Sequence, residues 1–233
     1  MDFRDKHVMV TGGTGALGAA VVGALVSAGA RCHVPYRTAA EAERFTHREH
    51  ARVALIEAGD LADEAAVVRL YSGVPNLWAS IHLAGGFAFG PVVDTDKEIL
   101  VRQLEQNFVT CFLCCRTAAQ AMARTQSGGR IVNVAARPAL EWRSGANMAA
   151  YAASKAAVAA FTVAFAQEAV KQGVLVNAVA PSIMDTPANR RAMPNADFAN
   201  WPKVEEVASA ILFLASPINT VTSGAVVPVY GRA

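Results

Sequence analysis

Short apolar runs alternate with helix-length segments from one end of the chain to the other. The runs at 7–10, 32–35, 53–57, 79–83, 131–134, 175–180 and 225–229 read as strands, and the segments 17–28, 40–47, 63–72, 97–123, 151–172 and 204–214 read as helices. Regular β–α alternation, joined by right-handed crossovers, predicts an α/β fold: a Rossmann-like doubly wound, seven-stranded parallel sheet with helices on both faces. In such sheets ligands sit beyond the carboxyl ends of the strands, where the strand order reverses. The chemistry is therefore expected in the segments that follow strands, namely 11–18, 36–38, 60–61, 84–91, 135–150 and 181–201. The last of these has no obvious regular structure, and a connection of that length reads as a lid or binding loop.

Composition narrows the classes. A chain of 233 residues with 53% hydrophobic and 17% charged residues suits one domain, 1–233, with a sheet covered on both faces. A formal net charge of +2 and no cluster of Lys and Arg interleaved with aromatics argue against nucleic acid or an anionic membrane as partner, leaving a small molecule. The N-terminus lacks a signal-peptide apolar core, and even the apolar stretch 149–169 is interrupted by Lys155 and Glu168. The expectation is a cytoplasmic protein. Cys32 falls in a strand, while Cys111, Cys114 and Cys115 share one apolar helix with no second cluster to complete a metal site. Reduced core thiols are expected, and no metal. His47 and His50 read as solvated surface.

The strongest local signal follows the first strand, where Thr11-Gly12-Gly13-Thr14-Gly15-Ala16-Leu17-Gly18 leads into a helix. Glycine lets the backbone approach a pyrophosphate, and the unpaired N–H groups at the helix start stabilise the anion. In dinucleotide folds an acid about 20 residues further on accepts from the adenosine ribose, whereas an Arg there pairs with a 2′-phosphate. Here the second strand ends in Tyr36-Arg37. That favours NADP (NADPH), with NAD as the alternative.

Tyr151 and Lys155 lie four apart at the start of an Ala-rich helix and so share one face. A phenol is a poor acid or base at neutral pH, and a neighbouring ammonium is expected to bring it into range. Phe87, Phe89 and Trp142 lie in segments bordering the same cleft and can stack on a flat substrate.

Taken together, these motifs resemble short-chain dehydrogenase/reductases along essentially the whole chain. Thr11 to Gly18 is similar to the family's Gly-rich turn, Asp60 (followed by Leu61) to its adenine-contacting Asp, and Ala84-Gly85 (followed by Gly86) to the end of its Asn-Asn-Ala-Gly motif. Asn107 matches the helix Asn that supports a proton-relay water, and Tyr151-x-x-x-Lys155 the catalytic pair. Asn177-x-x-x-Pro181, with Ile183 and Thr186 beyond, matches the strand and loop that hold the nicotinamide amide.

The resemblance thus implies Tyr151, Lys155 and Asn107 as catalytic residues. It implies cofactor contacts from Gly12, Thr14, Gly15, Ala16, Leu17, Arg37, Asp60, Leu61, Ala84, Gly85, Gly86, Tyr151, Lys155, Pro181, Ile183 and Thr186, together with a homodimer or homotetramer. The departures are Ala16 for a turn glycine, His82-Leu83 for the two asparagines, Ser182 for a glycine, and Ala136 for the substrate-polarising Ser. Within the family the chain resembles dihydropteridine reductases, which lack that Ser, at Ala136-Arg137-Pro138-Ala139-Leu140 and along the lid from Asp185 to Trp201. The implied activity is hydride transfer from NAD(P)H to a small carbonyl or quinonoid substrate, with Tyr151 as proton donor. The alternative, motivated by Ala136, is an NAD(P)-binding sensor with weak turnover or none.

Overall fold

In the computed structural model, which describes residues 1–125 and 128–232, the expected alternation is realised. The first half runs β1 (His7–Thr11), α1 (Ala16–Ser27), β2 (Arg31–Tyr36), α2 (Ala39–Arg44), β3 (Val53–Glu57), α3 (Glu64–Ser72) and β4 (Leu77–His82). The second runs α4 (Lys97–Leu104), α5 (Thr110–Thr125), β5 (Gly129–Val134), α6 (Ala149–Ala169), β6 (Val174–Pro181), α7 (Pro187–Ala192), α8 (Val204–Ala215) and β7 (Val226–Val229).

The strands form one parallel sheet in the order β3-β2-β1-β4-β5-β6-β7. The chain winds outward from β1 to β3, then crosses back to place β4 on the other side of β1. The strand order therefore reverses between β1 and β4, and that gap is where a crevice must open.

Two apolar layers hold the sheet. On one face Val21, Val22 and Leu25 of α1 meet Val207, Ile211 and Leu212 of α8 over Val8, Val10 and Val34. On the other, Leu70 and Tyr71 of α3 pack with Cys114, Cys115 and Met122 of α5 and Val158 of α6 over Met9, Ile131 and Val176. Helix starts are set locally. Thr38, Asp63, Asp96 and Thr186 each accept a hydrogen bond from a first-turn N–H of α2, α3, α4 and α7, satisfying donors that have no partner within the helix.

Two expectations change. The helix expected over 97–123 is interrupted by a π-helical turn at Glu105–Val109, which turns Asn107 inward to 1% exposure; such turns insert one extra residue and re-aim a side chain. The segment 181–201 is not irregular, since it contains α7 and a 3-10 turn at Phe198–Asn200. Helix α6, with the short turn after it, has the length and hydropathy of a membrane span. In the fold one face of it packs against the sheet, with Ser154, Lys155, Val158, Thr162 and Ala166 buried.

Candidate active site

The turn after β1 is shaped by close backbone approach. Gly12 has φ +67°, and a methyl group there would stand 2.6 Å from the Ala84 nitrogen; a methyl on Gly18 would stand 2.2 Å from the Gly12 oxygen. Gly12 lets the turn press against the segment after β4, and Gly18 lets α1 press against the turn. Gly15 differs. It caps α1 without any side-chain acceptor, and a methyl on it would meet nothing nearer than 3.4 Å. The first N–H groups of a twelve-residue helix thus face open space, the cradle a pyrophosphate requires.

That space continues into a cavity of about 310 Å³ lined by Gly12, Thr14, Gly15, Tyr36, Arg37, Asp60, Leu61, Ala84 and Gly85 among others. Eight of the residues named from sequence for cofactor binding therefore converge on one wall-to-wall site. Sequence reasoning missed Pro35, Glu41, Ala58, Gly59, Leu83, Gln106 and Thr110, which also line it. Position relative to a strand end could have found Ala58, Gly59 and Leu83. Nothing in the pattern marked Glu41, whose carboxylate accepts from the Arg37 backbone N–H at 3.0 Å. Asp60 is partly committed, one carboxylate oxygen accepting from Ala62 N at 2.9 Å.

The other expected cofactor residues lie beyond that cavity. Ala16 and Leu17 start α1, Leu17 being buried against the sheet. Gly86 both donates to and accepts from the Asn107 side chain, at 3.1 and 3.0 Å. Pro181 ends β6, Ile183 is half exposed, and Thr186 caps α7. Asn177 is fully buried, tying β6 to Thr222 and Ala225 as a structural clamp.

Tyr151 and Lys155 project from the first turns of α6 beyond the end of β5. Lys155 Nζ donates to the Val134 carbonyl at 2.8 Å. Between the pair, Ser154 donates to the Tyr151 carbonyl at 2.7 Å and accepts from Asn107 Nδ2 at 3.1 Å. Gly85 joins this group to the cavity, since a methyl there would stand 2.5 Å from Asn107 Oδ1 and 3.5 Å from Lys155 Nζ. The Asn107 side chain is thus fully used in locking Gly86 to Ser154, a positioning role.

Electrostatics depart from expectation. Burial pulls Lys155 down to about 8 and pushes the Tyr151 phenol up to about 12. The ammonium was expected to acidify the phenol, but it points to the Val134 carbonyl, and desolvation wins. A phenol that keeps its proton at neutral pH is suited to donate it.

Around Tyr151 the surroundings are apolar. The Phe87 ring stands edge-on to the Tyr151 ring at 5.0 Å, and Phe87, Phe89 and Trp142 are 61%, 67% and 78% exposed. Ala136, where the family carries Ser, is buried and caps a short 3-10 turn. Ser144 donates to the Glu141 carbonyl and does not replace the missing hydroxyl. In the lid, Arg190 pairs with Asp185 at 2.6 Å and lies over the Phe198 ring, while Trp201 is buried beside Phe198.

A parallel doubly wound sheet, a Gly-rich cradle at its switch point and a Tyr/Lys pair on the helix after β5 define a nicotinamide-dependent oxidoreductase. Residues 6–197 match the short chain dehydrogenase family, and the chain belongs to it. Galactitol 2-dehydrogenase of Rhizobium johnstonii is 32% identical over 240 residues, spanning 96% of this chain and 93% of that protein. L-xylulose reductase of Bos taurus is 28% identical over 243 residues, spanning 99% and 98%. A short-chain type dehydrogenase/reductase from Mycobacterium ulcerans shares the fold with a TM-score of 0.90 at 25% identity, over 100% of this chain and 90% of that one. ElxO, solved with NADP bound, shares it with a TM-score of 0.87 at 23% identity over 97% of each chain. A polyol dehydrogenase and a sugar reductase carry the family assignment but not the narrower resemblance to dihydropteridine reductases.

Proposed function

We propose that this chain is an NADPH-dependent reductase of a flat, conjugated carbonyl or quinonoid acceptor, with Tyr151 as the proton donor. The observation that carries the reading is a half-buried, protonated phenol with the exposed Phe87 ring edge-on to it, beside a cavity whose far wall presents a guanidinium.

Arg37 supports NADPH because a planar cation on that wall pairs with a 2′-phosphate, and Tyr36 stands where an acid would hold a free ribose hydroxyl. NADP in the related ElxO fits the same preference. Gly12, Gly15 and the start of α1 would hold the pyrophosphate, and Lys155 the nicotinamide ribose. When bound, the cofactor supplies hydride from its nicotinamide. The protein's part is to orient the acceptor, exclude water and deliver the Tyr151 proton to the acceptor atom that gains negative charge.

The acceptor class follows from Ala136. No hydroxyl polarises the substrate there, so the reducible bond must already be electron-poor, as in quinones and quinonoid dihydropterins. Phe87, Phe89 and Trp142 favour a flat apolar body over a polyol, which would leave its hydroxyls against ring faces.

A fluorescence titration with NADPH and NADH, followed by an acceptor panel of quinonoid dihydropterin, quinones, small ketones, galactitol and xylulose, tests the reading. Tighter NADPH binding and turnover confined to conjugated acceptors are expected. NADPH bound with none of the panel consumed would favour a sensor, the reading Ala136 motivates, and polyol turnover would overturn the aromatic-rim assignment. The proposal places the protein in the cytoplasm as a homodimer or homotetramer. Supporting self-association, Phe112, Phe161 and Phe165 form a ring cluster along a surface groove between α5 and α6. Sedimentation of the intact chain tests it.

A further inference from the structure

Beneath the cofactor cavity lies a polar knot that the proposed reaction does not use. The sequence left Cys111 and Cys115 without a partner cluster, but the fold brings His82, from the end of β4, to them: His82, Cys111 and Cys115 are all buried, and their ligand atoms lie within 4.8 Å of one another. Cys115 Sγ is 3.3 Å from His82 Nδ1. A fourth donor atom converges from β5, Asn133 Oδ1, at 2.8 Å from His82 Nδ1 and 3.2 Å from Cys115 Sγ.

We propose that His82 Nδ1, Cys111 Sγ, Cys115 Sγ and Asn133 Oδ1 form a tetrahedral site for a borderline-soft divalent cation of the zinc class, placed directly under the cofactor cavity.

The donor set selects the ion. Two thiolates with a neutral imidazole and a neutral amide carry a charge of two minus, so a divalent ion leaves the buried site neutral, whereas a monovalent one would strand a charge in the core. With metal–sulfur and metal–nitrogen bonds of about 2.3 and 2.0 Å, tetrahedral neighbours stand about 3.5 Å apart. The His82–Cys115, Asn133–Cys115 and His82–Asn133 separations of 3.3, 3.2 and 2.8 Å are shorter than that, while Cys111 Sγ lies within 4.8 Å of the His82 and Cys115 ligand atoms, so side-chain adjustment brings the four donors to tetrahedral spacing.

The surroundings already orient the ligands. Thr162 donates to the Val158 carbonyl at 2.7 Å, so its oxygen must accept from Asn133 Nδ2 at 2.9 Å, which turns Asn133 Oδ1 toward the imidazole. In the metal-free protein the His82 proton therefore sits on Nδ1, facing that oxygen, and Nε2 accepts from Ser80 Oγ at 2.7 Å. On loading, the imidazole proton shifts to Nε2, which donates to Ser80, itself 2.7 Å from the Tyr71 hydroxyl. Such a hydrogen bond behind a ligating imidazole is the usual support of a zinc site. Cys111 and Cys115 each lose a proton to solvent, so two protons leave per ion bound.

The position gives the site a consequence. Leu83 and Ala84, which follow His82, and Thr110, which precedes Cys111, line the cofactor cavity. A bound ion would tie the end of β4 to the start of α5 and stiffen that floor.

The test is to unfold the full chain, refold it under reducing conditions with Co²⁺ or Zn²⁺, and remove excess metal. Expected are one metal per chain, a thiolate-to-cobalt charge-transfer band, two protons released per ion, and a higher melting temperature than the metal-free protein. Cys32→Ala retains all of this. Cys111→Ser and Cys115→Ser lose the charge-transfer intensity and bind about a hundredfold more weakly or worse, with circular dichroism confirming that they fold. Should those variants not fold, the wild type decides: its charge-transfer band must carry the intensity of two thiolates, and two protons must leave per ion bound. Metal washing out of the refolded wild type, a band that survives the paired serine substitutions, or fewer than two protons released per ion would overturn the site.

Discussion

The two halves of the site are built from different materials. The nucleotide half is mostly backbone: Gly12 sets the approach of the turn to the segment after β4, Gly18 that of α1 to the turn, Gly15 leaves the start of α1 open, and among the described residues Arg37 is the one cation on the cavity wall. The catalytic half is side chains held by other side chains, with Tyr151 and Lys155 fixed through Ser154, Asn107, Gly86 and the Val134 carbonyl. Backbone sites are legible as short motifs because glycine content decides them. Side-chain sites depend on what several distant elements bring together, and their chemistry follows from burial. Damage to the first half should therefore appear as lost cofactor affinity, and damage to the second as lost turnover.

The largest expected effect comes from the catalytic half. Tyr151→Phe should lower kcat by about 10²–10⁴-fold, the range for losing a general acid, while the dissociation constant for NADPH stays within about twofold. Equal losses in both would mean that the phenol holds the cofactor, and the contrast between the halves would fail.

Gly12→Ala asks the converse. A methyl at φ +67° against the Ala84 backbone should cost about 1–3 kcal/mol of stability and weaken NADPH at least tenfold, read by denaturant unfolding and by titration. Retained affinity would show that the turn is not the cradle.

Lys155 sharpens the comparison through pH. Its value is lowered to about 8 from 10.5, so the charged form is disfavoured in the folded state. That penalty is fully present below pH 8 and fades as pH rises toward 10.5, where the unfolded chain holds the extra proton. The stability of Lys155→Met relative to wild type should accordingly fall by up to about 3 kcal/mol between pH 7 and pH 10.5. A flat difference would place the ammonium in water.

The smallest effects fall on the cavity wall. Arg37→Ala should weaken NADPH about tenfold and leave NADH unchanged, as for one charge-assisted contact. Glu41→Gln, which removes a carboxylate beside the Arg37 N–H, should tighten NADPH about twofold. Equal shifts for both nucleotides would remove Arg37 from phosphate recognition.

Most of the fold was legible in the order of apolar runs, and the strands expected at 53–57 and 175–180 coincide with β3 and fall within β6. The expected helix over 97–123 failed at one place, because a π-helical turn leaves no mark in hydrophobic periodicity yet decides that Asn107 faces Gly86 and Ser154. The lid was read as irregular because α7 is short and starts at a proline, a signal easily taken for a loop.

By itself the sequence determined the strand–helix alternation, the glycine cradle after the first strand and the pairing of Tyr151 with Lys155, since each depends on neighbours a few residues apart. Only the tertiary structure decided that burial raises the phenol and lowers the ammonium, that Glu41 shares the wall with Arg37, and that His82 meets Cys111 and Cys115. Those outcomes depend on desolvation and on contacts between residues far apart in the chain, and neither quantity is written in local spacing.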